Sequence, residues 1–168
     1  MFNSLRFFIP ACLFFLISFS GISQRSATAS FTATVTIIDP IEIQATSDMN
    51  FASIDARNGG TVTLNPDNTR SSSGDVLLDN TSGVSAATFE IKGQSGYSFD
   101  LCLPEGDFVL VNGPENITIK DFTSDLKTQT LLAGTQMIRL GATLEIAPNQ
   151  RPGVYSSPAP IEVTVNYN

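Results

Sequence analysis

Acidic side chains provide the nearest approach to a catalytic pair in this sequence. Asp48 and Asp55 lie close together along the chain, as do Asp121 and Asp125. Two carboxylates on either side of a sugar linkage can hydrolyse it, one as general acid and the other as nucleophile or base. Each of these four residues falls in a stretch typical of a turn or loop, where scattered acids form a solvated surface. We therefore interpret them as surface acids, and a hydrolase is the weakest hypothesis.

Histidine is absent from the whole sequence, which removes most other catalytic arrangements. Without an imidazole there is no Ser-His-Asp triad, no Cys-His pair and no histidine metal site. No calcium-binding loop or phosphate-binding glycine motif is present either. Cys102 alternates with Leu101 and Leu103, and we interpret it as a small hydrophobe under a loop. The sequence thus predicts a protein that is not an enzyme and that uses no cofactor and no metal.

The N-terminal residues have the pattern of a secretory signal peptide. Arg6 precedes an apolar run, and small residues follow it. We prefer cleavage after Ser23, with cleavage after Ala29 as the alternative. No later stretch is apolar enough to span a membrane. The sequence therefore predicts a signal peptide over residues 1–23 and a single exported domain over residues 24–168, in the periplasm during transit and then at the cell surface or outside the cell.

The exported chain is long enough to form one hydrophobic core. Removing 23 of 168 residues leaves 145, and a domain of that size buries roughly 70% of its unfolded surface. Cys102 is then the only cysteine, so no internal disulfide can form. The sequence has 16 acidic and 9 basic residues, a net charge of −7. This balance argues against nucleic acid as a partner, because phosphates require clustered cations.

Most of the chain alternates between apolar and polar side chains with the period of a β-strand. Such runs cover residues 31–37, 87–91, 97–103, 138–146 and 161–167. Clusters of Gly, Pro, Asn and Ser separate the runs, and helical periodicity is nearly absent. The pattern predicts an all-β fold, an immunoglobulin-like β-sandwich of about eight to ten short strands.

Turn-forming residues predict how several strands are connected. We expect two hairpins, one joining residues 87–91 to 97–103 and one joining residues 108–111 to 116–120. The strand at residues 138–146 and the terminal strand should form a meander around an intervening Pro-Gly corner. Residues 65–74 are polar and are interpreted as a surface loop.

The terminal strand has the most regular alternation in the chain. Its two faces consist of Ile161, Val163, Val165 and Tyr167 on one side and of Glu162, Thr164 and Asn166 on the other. Because side chains of a strand alternate between faces, we predict that the first set faces a core.

Several motifs occur together in an order that resembles a bacterial protein family. They are Asp39-Pro40 within residues 31–43, Asp48-Met49-Asn50-Phe51, Gly60-Thr61-Val62-Thr63-Leu64, residues 96–104, Ala142-Thr143-Leu144, residues 149–155 and Val163-Thr164-Val165-Asn166-Tyr167. The set resembles the family known as domain of unknown function four thousand four hundred and two and, more loosely, the spore coat protein U family of archaic chaperone–usher pilins. Ala52 stands where the family usually has Gly. Residues 156–160 stand where the family tends to have a Gly and an aromatic residue.

This resemblance implies a pilus or surface-fibre subunit with an incomplete, pilin-type immunoglobulin-like fold. Such a subunit lacks one strand, borrows it from a periplasmic chaperone, and then receives it from the next subunit, with an outer-membrane usher as a further partner. The family's donor strand is an alternating apolar segment near the mature N-terminus, which here is Phe31, Ala33, Val35 and Ile37. Its last strand ends with a penultimate aromatic, so the chaperone and assembly strand here is Ile161, Val163, Val165 and Tyr167. The other interpretation of residues 31–37 is the domain's own first strand.

Two functions follow as expectations. The first is an exported, non-enzymatic structural protein that assembles with like subunits into surface fibres by strand exchange. The alternative is a monomeric secreted or periplasmic binding module for a glycan or protein, with polar loops such as residues 65–74 as the recognition surface. The completeness of the sandwich separates them, since a pilin has an open groove and a binding module closes on itself.

Overall fold

The computed structural model describes residues 25–79 and 81–168, and the predicted signal peptide lies outside this part of the chain. The chain divides into two units, residues 1–36 and residues 37–168. In the first unit, the described residues 25–36 have no regular secondary structure.

The second unit is built from β-strands. Among its described residues there are eleven strands: β1 (Glu42–Ser47), β2 (Ile54–Asp55), β3 (Gly60–Leu64), β4 (Arg70–Gly74), β5 (Leu77–Leu78), β6 (Ala87–Lys92), β7 (Phe99–Cys102), β8 (Phe108–Asn112), β9 (Glu115–Ser124), β10 (Thr135–Ile146) and β11 (Thr164–Tyr167). The predicted all-β fold is confirmed. None of the described residues belongs to a helix that could cross a membrane.

The longest strand, β10, is the centre of the main sheet. Its inward side chains are all at most 5% exposed: Ile138, Leu140, Ala142, Leu144 and Ile146. Along one edge β10 pairs first with β6 and then with β3, and β9 occupies the opposite edge. The alternation over residues 138–146 predicted this strand correctly, and its apolar face is buried because residues outside the main sheet, such as Phe51 and Phe99, pack against it.

Seven antiparallel strands make up the main sheet. Its order is β1-β6-β10-β3-β4, with β9 on the other edge of β10 and β8 paired to β9. The predicted hairpin around residues 112–115 is confirmed as β8–β9, where Asn112 pairs with Glu115. The interpretation of residues 65–74 as a loop was wrong, because β4 pairs with β3 over Arg70–Gly74. Pairing uses backbone groups, which a serine-rich segment supplies as well as an apolar one.

A second layer packs against this sheet. It contains two short sheets, β7–β11 and β2–β5. Phe99 of β7 and Val165 of β11 are buried in one cluster with Ile91 and Ile138 of the main sheet. A second buried cluster lies under β3, β9 and the end of β10, and it includes Phe51. The two layers therefore enclose the core in a sandwich-like arrangement.

The predicted hairpin between residues 87–91 and 97–103 was wrong. β6 pairs with β1 and β10, and β7 pairs with β11. The connecting loop turns its backbone amides to another segment: Gly93 N donates to Gly134 O (2.9 Å) and Gly96 N donates to Leu131 O (2.7 Å). The chain therefore crosses from one layer to the other at the point where a tight turn was expected.

The predicted meander was also wrong. β11 pairs with β7 and belongs to a different sheet from β10. It begins at Thr164, three residues later than the alternation suggested. Pro158 and Pro160 precede it, and proline has no N–H group for a strand ladder.

Candidate assembly groove

A cavity of about 1170 Å³ opens against the inner face of the main sheet. Its floor is made of apolar side chains from three neighbouring strands: Phe89 of β6, Ile119 and Phe122 of β9, and Leu140 and Leu144 of β10. The period of two along β6 and β10 places their side chains on one face. In β9 the register shifts at Asp121, which has a φ of 53°, and this irregularity brings Phe122 to the face of Ile119. We call the cavity, with its floor and walls, the groove.

Two chain segments form the facing walls of the groove. Residues 48–57 line one side and residues 150–163 line the other. The first wall contains β2, and the second leads into β11. Within the described residues, the sheets of β2 and β11 are separate. The second layer of the sandwich is therefore interrupted between the two walls.

The first wall is held by local hydrogen bonds and by one distant arginine. Asn50 Oδ1 accepts from the backbone N–H of Ala52 (2.8 Å), and Ala52 has a φ of 57°. The Arg70 guanidinium donates to the carbonyl oxygens of Phe51 and Asp79. The sequence does not reveal this role of Arg70, because nothing in the local pattern of β4 indicates contact with a residue 19 positions earlier.

A tyrosine stabilises the second wall. The Tyr155 hydroxyl donates to the carbonyl oxygen of Arg151 (2.8 Å) and accepts from Gln150 Nε2 (2.9 Å). The backbone of Ser156 exchanges hydrogen bonds with that of Val111 in β8. These contacts fix the corner that the sequence identified as Pro-Gly turn residues.

The four predicted residues of the terminal strand lie on one face, and they divide between the groove and the filled core. Ile161 and Val163 are half-buried and line the groove. Val165 is 8% exposed and packs with the half-buried Tyr167 in the cluster around Phe99. The intervening side chains are exposed. The groove therefore lies beside residues 161–163, which precede β11. The buried residues of β11 itself do not line it.

The hydroxyl of Tyr167 joins two distant parts of the chain. It accepts from the backbone N–H of Gln94 (2.6 Å) and donates to the carbonyl oxygen of Asp39 (2.8 Å). The Asp39 N–H in turn donates to the Gln94 side chain (3.2 Å). The Tyr167 ring also meets Tyr97 edge to face, at 5.7 Å between centroids. The penultimate aromatic therefore anchors the chain just before β1.

The predicted donor residues are exposed. Phe31, Val35 and Ile37 are 92%, 82% and 90% exposed, and Ala33 is exposed as well. Their segment forms no strand, and β1 begins only at Glu42. Single exposed hydrophobic side chains are common on protein surfaces. Here three large ones lie at alternate or nearby odd positions of one segment, so that in an extended chain they share one face and form an apolar stripe.

The expectation that all four acids considered for catalysis lie in turns or loops was wrong for two of them. Asp55 is in β2 and Asp121 is in β9, whereas Asp48 and Asp125 lie between strands. Asp55 pairs with Arg57 (3.3 Å), and Asp125 Oδ1 accepts from the backbone N–H of Arg139 (2.8 Å). Elsewhere, the hydroxyl of Thr81 donates to Asp79 and lowers the pKa of that carboxyl group. A lowered pKa keeps a carboxylate ionised, which suits a loop cap better than a general acid.

Cys102 is exposed, so its interpretation as a buried hydrophobe was wrong. Its neighbours Leu101 and Leu103 are half-buried and pack against the filled core. Alternation along β7 therefore turns the thiol outward, and none of the described loops buries it.

The fold and groove define an all-β, sandwich-like protein whose second layer is interrupted. Residues 41–167 match the family described as Domain of unknown function (DUF4402). The match includes all eleven described strands, and the chain belongs to this family. The resemblance indicated by the order of the motifs is confirmed to that extent, whereas kinship with spore coat protein U and the pilins stays a prediction. No curated protein and no solved structure matches the chain.

Proposed function

We propose that this protein is an exported, non-enzymatic subunit of a surface fibre, assembled by strand exchange. In this proposal residues 31–37 of one subunit occupy the groove of the next. A periplasmic chaperone supplies a strand to the groove before assembly, and an outer-membrane usher organises the exchange. The observation that carries the proposal is the groove itself, a cavity with an apolar floor that is lined by the segment around β2 and by the segment that leads into β11.

The chemistry of the two surfaces is complementary. The floor of the groove is apolar, with Phe89, Phe122 and Leu140 among its residues. The segment of residues 31–37 offers a matching stripe every second residue. Burying one large apolar side chain stabilises a complex by about 1.5–3 kcal/mol before ordering costs. Three such side chains together contribute roughly 5–9 kcal/mol before those costs, and backbone hydrogen bonds of an added strand contribute further.

Backbone hydrogen bonding also supports the placement of residues 31–37 in the groove. An added strand can pair with a wall segment and satisfy N–H and C=O groups while its alternate side chains enter the groove. Residues 31–37 span roughly 20–23 Å when extended, at about 3.3 Å per residue. The threonines at alternate positions in this segment would then face outward, as polar side chains do on the solvent side of a sheet.

The proposal is tested with two defective variants of the mature chain. Val35→Asp places a charge in the donor stripe and leaves the groove intact. Ile161→Asp places a charge in the groove wall and leaves the donor intact. Each variant alone should stay monomeric in analytical ultracentrifugation, because an unpaired charge is costly in an apolar site. Mixed in equal amounts, they should form 1:1 complexes and nothing larger.

Thr34→Asp is the matched control, because residue 34 lies on the opposite face of the donor segment. It should assemble like the unmodified protein. A peptide of residues 29–39 should also raise the melting temperature of the Val35→Asp protein, since a ligand of the folded state stabilises it. An unmodified protein that stays monomeric at every concentration, with a melting temperature insensitive to the peptide, would leave the monomeric binding module as the better hypothesis.

A further inference from the structure

The first wall of the groove has an interruption in its strand pairing at residues 51–53. Asn50 is bridged to Ser85 before this stretch, and β2 pairs with β5 after it. Residues 51–53 themselves belong to no strand. Their backbone therefore needs partners from outside a strand ladder, because the carbonyl oxygen of a buried residue such as Phe51 is costly to leave unpaired.

Arg70 supplies the hydrogen bonds that a neighbouring strand would otherwise supply to these residues. Its Nη1 group donates to the carbonyl oxygens of Phe51 and, at 3.4 Å, of Ser53, and its Nη2 group donates to that of Asp79. Among the described residues, no other group donates to the Phe51 carbonyl oxygen. One planar guanidinium group thus joins the wall to the loop that follows β5.

The backbone that carries the Arg70 side chain is itself firmly held. Arg70 is the first residue of β4 and pairs with Leu64, a fully buried residue of β3. A backbone hydrogen bond from Asn65 to Thr69 (2.8 Å) closes the turn between the two strands. The main sheet therefore positions the guanidinium, and this position does not depend on anything that occupies the groove.

The wall and the loop after β5 are also bonded to each other. The backbone N–H of Asp79 donates to the Ser53 carbonyl oxygen (3.2 Å), and the Ser82 hydroxyl lies 3.0 Å from the hydroxyl of Ser53. Neither contact involves Arg70. A substitution at position 70 therefore removes the link between the wall and β4 but leaves the wall attached to this loop.

We propose that Arg70 is a positioning residue of the groove: it ties the first wall to β4, so that the groove is already formed in a subunit that has not received a strand. Arg70 does not line the groove, so it acts through the backbone of the wall and not by touching the occupant. This inference rests on the proposed function and adds a condition to it. A site that is ordered before binding loses less conformational freedom when its ligand arrives, and it therefore binds more tightly.

Binding of the peptide of residues 29–39 tests this role in the mature Val35→Asp protein, whose own donor segment is defective. Arg70→Lys keeps the positive charge, but a single ammonium group lacks the planar fork that reaches several carbonyl oxygens in a fixed geometry. We expect Arg70→Lys to weaken peptide binding about tenfold, mainly through slower association, because the wall must then become ordered during binding. Stopped-flow fluorescence with a labelled peptide measures the association and dissociation rates.

Ile91→Val is the matched control on the same background. Ile91 is fully buried in the cluster around Phe99 and does not line the groove. Loss of a methylene group there should lower the melting temperature and leave peptide binding unchanged. An Arg70→Lys protein that binds the peptide as fast and as tightly as its parent would overturn the proposal. An equal loss of affinity in both variants would also overturn it, because that loss would reflect general stability.

Amide hydrogen exchange tests the state of the wall without any peptide. In the Arg70→Lys protein, the amides of residues 51–57 should exchange about tenfold faster than in its parent, whereas those of β10 should follow only the global stability. Unchanged exchange in residues 51–57 would contradict the positioning role of Arg70.

The two measurements also separate this inference from strand exchange. Peptide binding that does not depend on residue 70 would overturn the role of Arg70 and keep strand exchange. Failure of the peptide to bind the parent protein, together with faster exchange in the wall of the Arg70→Lys variant, would overturn strand exchange, while the fixing of the wall by Arg70 would stand.

Discussion

The phenolic hydroxyl of Tyr167 lies 2.8 Å from the carbonyl oxygen of Asp39, although 128 residues separate them in the sequence. The same hydroxyl accepts the backbone N–H of Gln94. One side chain thus joins the last strand, the loop after β6 and the chain before β1. We expect this junction to contribute to stability.

Tyr167→Phe should lower the free energy of unfolding by about 1–2 kcal/mol, because two hydrogen bonds are lost and a partner N–H is left unpaired. The measurement is urea denaturation monitored by circular dichroism. Tyr97→Phe is the matched control, since the Tyr97 hydroxyl makes no hydrogen bond to any described residue, and it should change stability by less than about 0.5 kcal/mol. Equal losses in the two variants would contradict the importance of the junction.

Gly93 lies directly against this junction. A Cβ atom at Gly93 would collide with the Tyr167 hydroxyl and would lie 3.0 Å from Leu131 Cδ1. Gly93→Ala should therefore destabilise the protein by about 1–3 kcal/mol. The loss should be smaller when Tyr167 is already Phe, because one of the colliding atoms is gone. A double-mutant cycle in urea measures this coupling, and strictly additive losses would show that the two residues do not interact.

Charged substitutions on its two faces test which face of β11 is buried. Val165 is 8% exposed and Thr164 is exposed. Val165→Asp should cost about 3 kcal/mol or more, because it buries an unpaired carboxylate. Thr164→Asp should be nearly neutral. Thermal unfolding of both variants measures the difference, and similar melting temperatures would mean that the two faces are assigned incorrectly.

Ala52 offers a stabilising substitution. Its φ of 57° lies in the left-handed region, where a Cβ atom is unfavourable by about 1–2 kcal/mol. Ala52→Gly should remove this strain and raise the free energy of unfolding, by about 1 kcal/mol or less once the greater flexibility of the unfolded chain is included. Ala56→Gly is the control and should destabilise the protein slightly. A loss of stability on Ala52→Gly would contradict the backbone argument.

Local alternation predicted the strands better than it predicted their partners. The buried face of β10, the β8–β9 hairpin and the facing of Val165 all follow from patterns within a few residues. The pairing of β7 with β11 does not, since it depends on the loop amide of Gly96 bonding to Leu131, 35 positions away. Ala52 illustrates an intermediate case: its departure from the family pattern was visible in the sequence, but its conformation was not.

The groove was not predictable from any single stretch. Its floor and walls come from three strands and two loops, and each of these segments has an ordinary pattern on its own. The sequence predicted the apolar stripe of residues 31–37 and the face of Ile161 and Val163, because each follows the period of a strand. The interval between the walls arises only from how the segments are arranged in space.

One edge strand of the main sheet, β4, has the sequence Arg-Ser-Ser-Ser-Gly and is exposed over its last four residues. An edge strand of this composition gives an incoming chain no apolar side chains to bury, which disfavours sideways growth of the sheet into aggregates. Arg70 adds to this, because its guanidinium is committed to carbonyl oxygens of its own domain. This edge therefore resists uncontrolled stacking of the domain even when its local concentration is high.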